Sequence, residues 1–189
     1  FQVIAVAIDE NVDNVKAFMD GITYPVLMDS AHVLTELYAI SNVPTVLLID
    51  EDDRIVQPNW SAFASDTFRE ITGVDSGAQL DAIRSWVLDG STLLSAEQAK
   101  QAVGDLSPEE EQAKLLFRIA NHLRANGDAT GAQRVFDRAA ELSPHDWTVR
   151  RAMLPLTGGD PFGQGYVDLA AEFEAAGRPY HGIAPERAG

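Results

Sequence analysis

Cysteine is missing from all 189 residues, which excludes disulfides, zinc–thiolate sites and thiol nucleophiles from this chain. Basic residues are also scarce: 14 Lys and Arg stand against 29 Asp and Glu, for a net charge of −15. Such a surface repels phosphate backbones, so no nucleic acid and no anionic membrane is expected as main partner, and acidic substrates are disfavoured. No apolar run approaches the roughly 20 residues of a membrane span, and no basic segment precedes an apolar one at the start of the chain. The histidines His32, His122, His145 and His181 lack paired metal-ligand spacing, and there is no G-x-S-x-G elbow. The glycine-rich stretch from Thr157 to Gly165 lacks the lysine of a phosphate loop and reads as a turn between helices. No catalytic residue, no metal and no cofactor is expected within these residues.

What is present is an ordinary globular composition, 46% hydrophobic. The acidic excess is uneven: residues 1–106 hold 17 acidic and 5 basic groups, whereas 107–145 hold 6 and 5. That shift predicts a domain boundary near Ser107. The run "FQVIAVAI" has the pattern of a strand covered on both faces. Asn11 predicts a helix cap, Val12, Val15, Phe18 and Met19 an apolar helix face, and Gly21 its end. "YPVLMD" reads as a second strand, Ser30 as the cap of a helix bearing Leu34, Leu37 and Tyr38, and "PTVLLID" as a third strand. The acidic turn "EDDR" leads into "RIVQ", predicting an antiparallel hairpin of Pro44–Asp50 with Arg54–Gln57, an edge added to the same sheet. The carboxylates of Asp50, Glu51, Asp52 and Asp53 read as a solvated turn in preference to a cation site.

Residues 58–75 read as irregular, anchored by Trp60, Phe63 and Phe68. Ser76 and Gln79 then suggest an S-x-x-Q capping box for a helix carrying Leu80, Ile83, Trp86 and Val87, closing a first domain over 1–90. A linker is expected over 91–106 and a helical domain over 107–189. Ser107, Pro108 and Glu110 agree on a helix start. Leu116, Ile119, Ala120 and Leu123, a turn at Gly127, then Ala132, Phe136, Ala139 and Pro144 resemble one tetratricopeptide repeat. The alanines permit close helix approach. A single repeat leaves an apolar face wet, so helices over 146–154 and 164–176 are expected to cover it, with Phe162, Tyr166, Leu169 and Phe173 as a core stripe.

The elements "VIAVAIDE", "YPVLMDS", "LYAI" and "NVPTVLLIDEDDRIV", with the helix that follows, resemble the later part of a thioredoxin-like domain of the redoxin and TlpA-like branch. The resemblance implies an α/β thioredoxin-like fold, N-terminally truncated, followed by an all-α tetratricopeptide-like domain. It implies that Val43, Pro44 and Thr45 form a cis-proline turn that binds an extended protein or peptide thiol or disulfide substrate. The family's first strand and its Cys-x-x-Cys helix have no counterpart here, so no catalytic residue carries over. Either the chain is a fragment of a thiol-disulfide oxidoreductase, opening on Phe1 inside a strand pattern, or its parent is redox-inactive. The alternative function is a non-catalytic scaffold whose helical repeat recruits a protein partner.

Overall fold

The computed structural model describes residues 1–40, 42–61, 63–64, 66–67, 69, 74–92, 94–103 and 105–177. Phe68, His181 and the last part of the expected helical domain lie outside the described residues. The chain is mixed α/β: β1 (Ala5–Ala7), α1 (Val12–Lys16), β2 (Val26–Met28), α2 (Val33–Leu37), β3 (Thr45–Ile49), β4 (Ile55–Ser61), then helices α3 (Ser76–Asp89), α4 (Ala96–Val103), α5 (Pro108–Ala125), α6 (Ala129–Leu142), α7 (Trp147–Leu156) and α8 (Gln164–Ala175). None of the described helices is long and apolar enough to cross a membrane.

β1 and β2 pair in parallel, Ala5 against Val26 and Ala7 against Met28. β3 and β4 form the expected antiparallel hairpin, Thr45 against Ser61 and Ile49 against Ile55, with irregular register around Leu48. Among the described residues these remain two separate two-stranded sheets, so the hairpin does not join β1 and β2 as one sheet. The bulged hairpin also runs on to Ser61, through residues expected to be irregular. The doubly covered first strand is not found: Phe1, Val3 and Ile4 are exposed and Ala5–Ala7 only half-buried. No described strand bridges β1 to β3, and the apolar run meets α3 only at its start, where the Phe1 ring stands edge-on to Trp86 at 6.1 Å.

The first half departs from expectation most at its helix ends. Asn11 caps α1 through a side-chain bond from the Asp13 amide, but α1 stops at Lys16 and Phe18 is 80% exposed. Ser30 does not cap α2. The cap position is His32, whose side chain makes no capping bond, and the Asp29 carboxylate three residues earlier accepts from the amides of Val33, Leu34 and Thr35 at 2.8, 2.9 and 3.1 Å. A carboxylate satisfies three orphan amides where a hydroxyl could satisfy one, and its charge favours the positive helix end. The same correction applies at α3, where Asp75 caps through the Ala78 amide and Gln79 instead accepts from the Ala64 amide. Gly90, at φ 75°, ends α3 in the left-handed conformation that glycine adopts without a Cβ clash. The stretch expected as a linker contains α4, whose neighbour is β4.

The helical half follows its sequence closely. Ser107 and Glu110 form a reciprocal capping box at α5, with Pro108 in the first turn. Gly127, at φ 85°, makes the turn to α6. Ala113, Ala120, Ala132 and Ala139 are almost fully buried at the α5–α6 crossing, around Phe117 and Phe136, whose ring centroids lie 5.7 Å apart. α7 covers the pair as expected, with Val149 and Leu156 entering the same core, whereas α8 packs mainly on α7 and not on the pair itself. Trp147, Leu169 and Phe173 form a second cluster, with the Trp147 and Phe173 rings 5.1 Å apart. The expected aromatic stripe is therefore core only at one end. Phe162 is 80% exposed, and both it and Tyr166 flank the Arg151 guanidinium, at 5.6 and 4.9 Å from their centroids.

Candidate functional site

The stretch between α2 and β3 places the expected substrate-binding residues. α2 ends at Leu37, and Ala39 turns back at φ 50°. The Val43–Pro44 bond is cis. The Thr45 hydroxyl donates to the Asn42 carbonyl and the Phe63 amide to the Pro44 carbonyl, while the Asn59 side-chain amide reaches across to the Ala39 carbonyl at 2.6 Å. These bonds brace the turn from both sides and leave Val43 56% exposed. Asn59 Oδ1 and Gln57 Oε1 are buried acceptors with no donor among the described residues. Val43, Pro44 and Thr45 carry no titratable group. Of the three, Thr45 alone has a polar side chain, and its hydroxyl is committed to the Asn42 carbonyl.

Sequence reasoning missed a larger polar constellation, the seam between the two halves. One face of α5 carries Lys114, Arg118 and Asn121, spaced four and then three residues apart, and all three reach the β2–α2 region. Arg118 Nε donates to Glu36 Oε2 at 2.7 Å. Lys114 Nζ donates to the Glu36 carbonyl at 3.1 Å and lies 3.6 Å from its Oε1 and 3.8 Å from Asp146 Oδ2. Asn121 donates to the Ala31 carbonyl at 2.8 Å, and Arg124 pairs with Glu10 further along. The Glu36 side chain is only 2% exposed and that of Lys114 10%, so the cluster is a buried ionic contact. Two cations and a second carboxylate from Asp146 offset the desolvation that an isolated buried charge would suffer.

His32 lies in the same seam. It is buried, takes the left-handed conformation at φ 54°, and its carbonyl accepts from the Thr35 hydroxyl and the Glu36 amide. Burial holds its imidazole pKa below the ordinary value. Asp29 opposes that effect and the Arg151 guanidinium reinforces it. The i, i+4, i+7 run of Lys114, Arg118 and Asn121 was the only sequence signal for the seam, and nothing local names its partner.

A groove of about 250 Å³ opens between α6, α7 and α8, bordered by Gln133, Arg150, Met153, Leu154, Asp168 and Glu172. Its Arg150 is already engaged, donating to Pro144 O at 2.7 Å and bidentately to Glu172 at 3.1 and 2.9 Å. That bond holds the Glu172 carboxyl below its usual range. At the hairpin tip, Asp50 accepts from the amides of Asp52 and Arg54, the pattern of a self-bonded turn. No protein-family model, curated protein or solved structure matches the chain.

Proposed function

We propose that this chain is the substrate-facing part of a thioredoxin-like thiol-disulfide oxidoreductase or redoxin. The observation that supports this reading most is the order of elements around an open rim. A parallel β1–α1–β2 unit and α2 precede an antiparallel hairpin and α3, with exposed Val43 at the hairpin mouth. In this reading Val43, Pro44 and Thr45 align an extended peptide thiol or disulfide. The thiolate comes from outside these 189 residues, because they hold no cysteine. The test is amide-shift mapping of the isotope-labelled chain with a carboxymethylated extended peptide. Shifts clustered at Val43 and Thr45, weakened by Val43→Asp, support the reading. Shifts confined to the helical half overturn it.

A second reading, a non-catalytic protein-binding scaffold, is favoured by one observation: the groove of about 250 Å³ between α6, α7 and α8, left open although Phe173 and Leu169 fill the core beneath it. The same titration separates the two readings, since scaffold binding shifts residues bordering that groove.

A further inference from the structure

The groove of about 250 Å³ has Arg150, Met153 and Leu154 on its α7 wall and Gly165, Asp168 and Glu172 on its α8 wall. Each set follows the spacing of one helix face, so each wall extends over about two turns, roughly 10 Å. At Gly165 the α8 wall has no side chain, and a Cβ there would meet Leu154 Cδ2 at an ordinary 3.5 Å, so the space in front of Leu154 stays open. The floor is apolar, from Met153, Leu154 and buried Leu169. A volume of about 250 Å³ falls below the roughly 300–1,000 Å³ of a small-molecule site. It suits one long side chain better than a cofactor.

The charges around the groove do not balance. Arg150 is engaged by Glu172, which it holds bidentately, and by the Pro144 carbonyl. Asp168 accepts from Gln164 at 2.8 Å, and Asp137 from Gln133 of the α6 side at 2.8 Å. Neither carboxylate meets a cation among the described residues.

We propose that this groove binds a lysine side chain of a partner protein, its aliphatic stem laid on Met153 and Leu154 and its ammonium paired with Asp168. On the scaffold reading, on which this rests, the partner is a basic protein segment. Long basic side chains bury their stems and keep the charge at the rim, which matches an apolar floor under an acidic lip. A purely apolar side chain would cover the floor and take water from Asp168 without returning a partner. An acidic one would face Asp168 and Glu172 with only the engaged Arg150 in return. A guanidinium fork uses both carboxylate oxygens, whereas an ammonium needs one, and Gln164 already holds Asp168 Oδ1. The net charge of −15 also draws a basic segment from a distance and repels an acidic one.

The test is a titration of the isotope-labelled chain with the peptide Ac-Gly-Ala-Lys-Ala-Gly-amide, read by amide shifts, beside counterparts with norleucine or glutamate in place of lysine. Saturable shifts are expected at Gly165, Asp168 and Glu172, with the norleucine peptide about fivefold weaker, the worth of one partly exposed ion pair. The glutamate peptide should not bind. Asp168→Asn should lower the affinity for the lysine peptide to that for norleucine and leave the norleucine peptide unchanged. Gly165→Met alters no charge and should weaken both by filling the groove. Asp20→Asn, which removes an exposed carboxylate of the first half, should change neither. A loss there equal to that of Asp168→Asn marks bulk charge and overturns the proposal. Lysine and norleucine peptides that shift the groove equally also overturn it, while the scaffold reading stands. Groove residues unmoved by every peptide overturn both.

Discussion

Residues 1–90 and 107–177 have similar apolar patterning and opposite outcomes. Among the described residues, Leu48 is the buried hydrophobic core residue of the first stretch, while Phe1, Ile4, Phe18, Leu27 and Leu37 are each more than half exposed. The second stretch buries Ala113, Phe117, Ala120, Ala132, Phe136, Ala139, Val149, Leu156, Leu169 and Phe173. Periodicity states which side chains would prefer burial; it does not supply the surface that buries them. α5 and α6 are long enough to cover each other, whereas α1 has five residues and β1 three, too few to form a layer.

The comparison can be broken from its strong side. Phe117→Ala should open a cavity at the α5–α6 crossing and cost about 3–5 kcal/mol, read as a lower denaturation midpoint by circular dichroism at the helical band. The seam comes next. Glu36→Ala leaves Lys114 with Asp146 and the backbone carbonyl of residue 36, takes from Arg118 its Glu36 partner, and should cost about 2 kcal/mol. The loss stays below that of a fully buried pair because Arg118 is 39% exposed. A comparable loss for Glu36→Gln would show that charge, and not shape, carries the contact. Ala132→Leu should wedge α5 from α6 at about 1–3 kcal/mol, in the same denaturation assay. The weak side gives the smallest effect. Phe18→Ser should change stability by no more than about 0.5 kcal/mol, since its ring is already in water, while lowering the binding of an apolar dye. A large destabilisation there would mean that the first half is better packed than the exposure of its apolar side chains implies.

How far the sequence was legible follows from the range over which its signals act. The box of Ser107 and Glu110, the turn at Gly127 and the small residues at the crossing are written within a few residues of where they act, and each lies where expected. The caps at Asp29 and Asp75 were misassigned to neighbours because several competent acceptors sit side by side, and only backbone direction decides among them. The hairpin was legible; its separation from β1 and β2 was not, since strand order across a sheet has no local signature. Of the site residues, Val43, Pro44 and Thr45 were placed by resemblance. The seam of Glu36, Lys114, Arg118 and Asn121 was missed because its partners are 78 to 90 residues apart in sequence.

That separation bears on the order in which the chain folds. α5 carries two working faces, one of Phe117 and Ala120 toward α6 and one of Lys114 and Arg118 toward α2. The first closes a turn of a few residues; the second closes a loop of about eighty, with the larger entropy loss that loop length brings. Contacts of short range form early and those of long range late. The helix pair should therefore collapse as an independent unit, exposing a ready-made basic ridge before the first half has anything settled to dock. Amide exchange under native conditions should report the same hierarchy: slowest at Phe117 and Phe136, intermediate at Thr35 and Glu36, and fastest along β1, where protection ends with the last hydrogen bond to β2.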